Sequence, residues 1–320
     1  MHYLVTGGAG FIGSHLVDAL LARGDQVTVL DDCSTGSMSN LTGHAQHKQF
    51  TMLHGSVCDE VLVDDACAKV DVIIHLAAAV GVRRILEKQV GSIVTNLRGT
   101  EVMLRAAHAH GRLPILIAST SEIYGKLNKV PFKEDDDSML GSSSLHRWSY
   151  ACSKLMDEFL GLAYHRERGL PVTIARFFNV TGPRQSGAYG MVLPRFCEAA
   201  RANRSLEVHG DGTQSRCFLH VQDAVAAILA LLACPTACGK VINIGSDEEI
   251  SIGALAKLVI SAANSRSAVS LISYQQAFPG GGFEDMQRRV PDVGRLRAMT
   301  GWQRKLDLTA TIHDCLSTLA

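Results

Sequence analysis

The sequence carries no excess of either charge: 31 Lys and Arg stand against 31 Asp and Glu, a formal net charge of +0. It has no acidic or basic tail to attract a polyanion, so no nucleic-acid partner is expected. Nor is there a cysteine framework. The nine cysteines are odd in number and scattered, no two form a CxxC pair, and Cys234 and Cys238 find no matching pair elsewhere, a pattern that fits a reduced, cytoplasmic protein. Long apolar runs are missing as well. The greasiest stretch, Ala224 to Ala233, falls far short of the roughly 20 residues that cross a bilayer. Met1 leads straight into strand-like His2-Tyr3-Leu4-Val5 without the basic start and apolar run of a signal peptide. No membrane partner is expected. Thirteen histidines are present, yet His44/His47 and His108/His110 lack acidic or cysteine companions at ligand spacing, so no metal is expected.

What the chain does have is apolar mass: 47% of its 320 residues are hydrophobic, enough for a large core in one or two coupled domains. Short β-branched runs alternate with segments of helical period. His2 to Thr6, Gln26 to Leu30, Asp71 to Leu76, Pro114 to Ala118 and Pro171 to Ala175 predict parallel strands. Ser14 to Arg23, Ile93 to His110 and Ala151 to Arg168 predict helices stopped by Gly24, Gly111 and Gly169. The alternation predicts an α/β fold, a Rossmann-type doubly wound parallel sheet with right-handed crossovers. After Asn179 the pattern loosens into loops at Thr181-Gly182-Pro183-Arg184 and Gly187 to Gly190. A smaller C-terminal substrate-binding α/β region is therefore expected over 179–320, following a dinucleotide domain at 1–178. Phe218 to Leu232 and Val241 to Ile244 turn regular again, so the segment 218–245 is expected to rejoin the first domain. Asp135 to Asp137, after Glu134, read as a solvated loop.

Three separate segments carry chemistry. Gly7, Gly10 and Gly13 follow a strand and open a helix, where glycines permit a tight turn, close backbone approach to a pyrophosphate, and helix-on-strand packing. The second strand ends at Asp31, near the spacing at which an acid hydrogen-bonds an adenine ribose. With no arginine in Cys33-Ser34-Thr35-Gly36 to receive a ribose phosphate, Asp31 favours NAD over NADP. Asp59 fits two roles, a helix cap or a contact to adenine. Farther on, Ser119-Thr120-Ser121-Glu122 supplies hydroxyls and a carboxylate, and Tyr150-Ala151-Cys152-Ser153-Lys154 places a phenol and an ammonium four apart. On a helix that pair shares a face, so the ammonium can lower the phenol from its free value of about 10 toward a base usable near neutrality.

With these residues in place, the chain resembles the extended short-chain dehydrogenase/reductase superfamily over nearly its whole length, specifically its NAD-dependent nucleotide-sugar epimerases, dehydratases and decarboxylases. The motifs run in order: TGGAGFIG at 6–13, HLAA at 75–78, TNLRGT at 95–100, STSEIYG at 119–125, YACSK at 150–154, RFFNVTGPR at 176–184 and NIG at 243–245. The resemblance implies that Tyr150 removes the proton of a sugar 4-hydroxyl while NAD takes hydride from carbon 4. By the same resemblance Lys154 holds the nicotinamide ribose and Thr120 hydrogen-bonds the reacting oxygen. Phe11 and Ile12 in the glycine turn, with Ala77 and Asn96, are implied as further cofactor contacts.

Glu122 divides the family. A simple 4-epimerase needs only a small neutral residue there, whereas a carboxylate beside the base suggests chemistry beyond carbon 4. In the 4,6-dehydratases that the chain resembles, the matching Glu takes the carbon 5 proton; Ser121 replaces the acid often seen before it in one dehydratase group. Ser121-Glu122 together with Arg147-Trp148-Ser149-Tyr150 is most similar to the UDP-glucuronate decarboxylases, in which a β-keto acid loses carbon dioxide to leave a UDP-pentose. A UDP-sugar 4-epimerase is the next reading, followed by a 4,6-dehydratase and a non-catalytic NAD-binding regulator. Asn179, Arg184, Arg216 and Arg289 are implied as substrate contacts, since a guanidinium fork suits diphosphate or a hexuronate carboxylate. His220 reads as a packing or helix-entry residue. The family also implies a homodimer through Ile93 to His110 and Ala151 to Arg168.

Overall fold

The structure is a computed structural model and describes residues 1–81, 88–187, 191–278 and 284–318; residues 188–190 of the expected Gly187 to Gly190 loop lie outside the described residues. The strands are β1 (His2–Thr6), β2 (Gln26–Asp31), β3 (Phe50–His54), β4 (Val72–His75), β5 (Ile115–Thr120), β6 (Val172–Phe177) and β7 (Val180–Thr181). They continue with β8 (Leu206–His209), β9 (Ser215–Cys217), β10 (Leu219–His220), β11 (Lys240–Ile244), β12 (Glu249–Ser251), β13 (Val269–Ile272) and β14 (Arg288–Arg289). The helices are α1 (Phe11–Ala22), α2 (Glu60–Cys67), α3 (Gln89–Ala109), α4 (Trp148–Arg168) and α5 (Val192–Arg201). After them come α6 (Val221–Leu232), α7 (Ile252–Ala262), α8 (Tyr274–Ala277), α9 (Gly294–Thr300) and α10 (Leu308–Ser317).

A seven-stranded sheet runs in the order β11-β6-β5-β4-β1-β2-β3, and every pairing in it is parallel. Alternate side chains enter opposite layers because a strand repeats every two residues. Tyr3, Val5, Val27, Val29 and Ile74 join α1 and α6 on one face, while Leu4, Leu30, Ile73, Ile115 and Ile117 join α2 and α3 on the other. Both faces are covered, as a parallel sheet requires. The Rossmann-type expectation holds.

The sheet differs from expectation at its margins. β3 was not expected: Phe50-Thr51-Met52-Leu53-His54 is a partly exposed edge strand with polar residues in it, so it lacks the apolar run of a central strand. β5 and β6 each continue two residues beyond their expected ends, to Thr120 and Phe177, which carries Thr120 to the lip of the sheet. α1, α3 and α4 each begin three or four residues early. Glu134 is buried and accepts the Asn243 backbone N–H at 2.9 Å, while Asp135 and Asp137 after it are exposed, as the solvated-loop reading expects.

The C-terminal portion is smaller and mixed. β13 pairs with β8, β9 is flanked by β12 and β14, and α5, α7 and α10 enclose a separate core containing Phe196, Leu255 and Ile312. Of the stretch expected to return, β11 lies beside β6 in the large sheet, and α6 packs on the α1 face. β10 instead pairs with β7 outside that sheet.

Candidate active site

A cleft of about 1690 Å³ opens along the carboxyl ends of the strands and reaches into the C-terminal portion, the usual ligand position for open α/β sheets. At one end is the glycine turn. Gly7 has φ +72, and a Cβ there would lie 2.8 Å from the Ala77 nitrogen; a Cβ at Gly13 would overlap the Gly7 carbonyl. Gly10 caps α1 with no side chain. The first helical amides, from Phe11 and Ile12, are thus left beside the cleft that both residues line, where they favour an anion.

Asp31 ends β2 at the same cleft. Its carboxylate accepts from Ala9 N at 2.9 Å and Cys33 N at 2.8 Å, and burial raises it from the ordinary carboxylate range despite those donors. Glycines that a Cβ would close, a bare helix N-terminus and an acid on the neighbouring strand together fit a dinucleotide. Ala77 lines the cleft, whereas Asp59 and Asn96 do not. Asp59 caps α2 by accepting from Val61 N and Leu62 N, the first of its two expected roles. Asn96 is buried behind the cleft, accepting from Ala79 N at 2.8 Å and donating to Ser153 Oγ at 3.1 Å. Its side chain thus ties Ala79 to α4 behind the cleft.

Thr120, Ser121, Glu122, Tyr150 and Lys154 all line the cleft. Thr120 closes β5 and caps the short helical turn Ser121–Tyr124, accepting from Glu122 N at 3.2 Å. Tyr150 and Lys154 lie on the first turns of α4, which ends at left-handed Gly169. The phenol, however, is pushed above its ordinary value. Burial is the largest cause, then the Glu122 and Asp157 carboxylates, with the Thr120 hydroxyl and Arg289 opposing. Burial thus outweighs the lowering expected from Lys154, whose Nζ is bonded to Asp157 Oδ2 at 2.7 Å.

At the far side, Asn179 lies between β6 and β7 and donates to the Cys217 carbonyl at 3.0 Å. Arg289 on β14 donates to Asn179 Oδ1 and lies 3.4 Å from Glu122 Oε1. Arg216 on β9 donates to Asp285 Oδ1 at 2.6 Å. Arg147 lies 3.7 Å from both Glu122 and Asp285. Three buried guanidiniums therefore meet two carboxylates, leaving the cluster one positive charge in excess. Burial and the neighbouring arginines pull Arg289 down to about 10, which still leaves it charged at neutrality. Its Nε is buried without a hydrogen bond among the described residues, a donor available to an anion. Arg184 stands apart: it lines the cleft at φ +67 but pairs with Asp18 of α1 at 2.9 Å.

Arg147 and Asp285 were not among the expected site residues. Arg147 precedes Tyr150 by one helical turn, a spacing that could have marked it; Asp285 has no local signal. His220 accepts from Gln222 N at 3.1 Å and faces Asp314 at 2.9 Å, a helix-entry residue as expected. Among the described residues no three His, Cys, Asp or Glu side chains gather as metal ligands, and no helix is long and apolar enough to cross a membrane. All nine cysteines are free.

A model of the NAD dependent epimerase/dehydratase family matches residues 3–245. A UDP-N-acetyl-alpha-D-glucosaminuronate decarboxylase of Bacillus cytotoxicus is 42% identical, over 92% of this chain and 90% of that protein. UDP-glucuronic acid decarboxylase 1 of Xenopus tropicalis is 32% identical over 97% of this chain and 71% of its own length. Among solved structures, the dTDP-glucose 4,6-dehydratase DesIV of Streptomyces venezuelae, determined with NAD bound, superposes with a TM-score of 0.89 at 28% identity, covering 99% of this chain and 96% of that one.

Proposed function

The chain belongs to the NAD dependent epimerase/dehydratase family, and from that premise we propose that it decarboxylates a UDP-hexuronate to a UDP-pentose-type product through a 4-keto sugar. The observation that carries this reading is the Glu122 carboxylate beside the phenol, faced by Arg289 and Arg147 in a cluster with one surplus positive charge. A neutral hexose needs no such cluster at the reacting end. A substrate with a carboxylate as well as a diphosphate does. The two decarboxylating relatives support the same choice.

Gly7, Gly10, Phe11, Ile12, Gly13, Asp31 and Ala77 would hold NAD, with Lys154 at its nicotinamide ribose; when bound, it accepts hydride from carbon 4 and later returns it. Tyr150 takes the proton of the 4-hydroxyl, with the Thr120 hydroxyl sharing the same oxygen. The ketone so formed makes the substrate a β-keto acid. Carbon dioxide then leaves as the electron pair of the bond between carbons 5 and 6 moves toward that ketone, and carbon 5 takes a proton. Ser121 and Glu122 attend this end of the sugar, while Asn179, Arg216 and Arg289 hold the anionic groups. Arg184, tied to Asp18, has at most an outer role.

Exposed Val90 and Val94 on α3, with Met156 and Phe159 on α4, support pairing with a second copy into a homodimer. The activity is tested by incubating the NAD-loaded protein with UDP-glucuronate, UDP-N-acetylglucosaminuronate and UDP-glucose and following each by NMR. Loss of carbon 6 from a hexuronate is expected. Inversion at carbon 4 with carbon 6 retained would make the protein a 4-epimerase, and a 6-deoxy product a dehydratase.

A further inference from the structure

Lys154 does not hold its ammonium free for the phenol. It is bonded to Asp157 one turn along α4, and the pair is buried, Lys154 in the cleft wall being 2% and Asp157 0% exposed. Asp157 Oδ1 makes no hydrogen bond among the described residues. A carboxylate kept for stability alone would be expected to have both oxygens satisfied, because an unmade buried bond is costly.

From Asp157 a line of polar groups runs beneath the cleft. Burial raises the Asp157 carboxyl above its ordinary range, with Lys154 and then the Thr100 hydroxyl on α3 opposing, and Thr100 Oγ1 lies 3.3 Å from His75 Nε2. His75 Nδ1 lies 2.8 Å from Thr6 Oγ1, which accepts from Ala77 N at 3.2 Å. Burial, assisted by Lys154, pushes His75 down to about 3, so the ring is neutral. These contacts fit one proton arrangement, in which Thr6 Oγ1 accepts from Ala77 N and donates to Nδ1, the ring proton lies on Nε2 facing Thr100, and the Thr100 hydroxyl donates to Asp157. Ala77 is the residue against which Gly7 packs.

We propose that Asp157 is a positioning residue for the base, holding the Lys154 ammonium and, through Thr100 and His75, tying α4 to the strand ends beneath the glycine turn. This rests on the assignment of Tyr150 as the base. The charged groups facing the phenol are Glu122, Arg289 and Asp157, with Lys154 on the same helix. Those facing Asp157 are Lys154 and Glu158, with neutral His75 beyond Thr100. A carboxylate near the phenol holds its proton on, and Asp157 also offsets the Lys154 charge that would release it. Removing the Asp157 charge therefore lowers the pH at which the phenolate forms.

The test is an ultraviolet difference titration of tyrosinate in the full-length, NAD-loaded protein, with Tyr150→Phe subtracted to isolate Tyr150. Asp157→Asn is expected to move the Tyr150 midpoint down by about one pH unit or more, and Asp157→Glu to keep it near that of the unaltered protein. Asp157→Ser removes the same charge, so it should move the midpoint the same way, and it carries the test should Asp157→Asn fail to fold. Midpoints unmoved in the variants that fold would overturn the proposal, since a merely structural Asp157 would alter stability alone. Full turnover of UDP-glucuronate by Tyr150→Phe would instead remove the base assignment, whatever the midpoints show.

Discussion

Arg289 and Glu122, 167 residues apart in the chain, face each other at 3.4 Å across the cleft. The contact joins the arginine-bearing strand of the smaller portion to the turn that follows β5, beside the phenol. Their consequences should separate in kinetics. Glu122→Gln is expected to lower kcat by about a hundredfold with little change in KM, within the usual range for a lost acid-base group. Arg289→Lys should chiefly raise KM, by about tenfold or more, because a charge-assisted hydrogen bond contributes roughly 1.5–3 kcal/mol. Steady-state kinetics on a hexuronate substrate measures both, and a Glu122→Gln variant that retains its kcat would contradict the division of labour.

Gly13→Ala should weaken both the fold and dinucleotide binding. The added methyl meets the Gly7 carbonyl and lies 2.8 Å from Gly8 Cα, and backbone cannot swing aside as a flexible side chain can. Overpacking of this kind costs about 1–3 kcal/mol. Thermal unfolding with and without NAD should show a lower midpoint and a smaller stabilisation by the nucleotide; a midpoint equal to that of the unaltered protein would contradict the packing.

Acid should loosen the small sheet that carries Arg216 and Arg289. Glu249 on β12 pairs with Arg288 at 2.7 Å and with Ser215, and these contacts, Arg288 foremost, lower its carboxyl to about 2 from an ordinary 4.5. A depressed carboxyl contributes stability above its unfolded value and loses it as pH falls through the folded one. That contribution is present above about pH 4.5 and disappears toward about pH 2. Glu249→Gln should flatten this part of the stability profile, as followed by denaturant unfolding across the interval. An identical slope in the two proteins would place the acid sensitivity elsewhere.

Phe159→Glu should yield monomers. Phe159 is 57% and Met156 54% exposed on α4, and Val90 and Val94 are exposed on α3; a charge set in an apolar contact between copies is not compensated there. Light scattering on a sizing column reads the outcome directly. A variant that keeps the mass of the unaltered protein would show that these helices do not form the contact.

Much of the architecture was legible because it follows from short-range rules. β1, β2, β4, β5 and β6 showed as apolar runs since both faces of a parallel sheet are covered; β3 did not, being a half-exposed edge with Thr51 and His54 in it. Gly169 marked the end of α4 through its left-handed backbone. Asp59 illustrates the limit. An aspartate before a helix serves equally as a cap or a ligand until one sees whether its carboxylate faces the helix or the cleft.

The chain alone determined that a glycine turn opens α1 after β1, that Asp31 ends the next strand, and that Tyr150 and Lys154 share one helical face, because spacing within a turn or a strand fixes all three. Tertiary structure decided which partner the Lys154 ammonium takes, why the phenol is held up instead of lowered, and how Arg147, Arg216 and Arg289 gather around Glu122 and Asp285. Those outcomes depend on burial and on distances between segments remote in the chain. Electrostatic interaction follows separation in space and loss of water, neither of which is encoded in neighbouring letters.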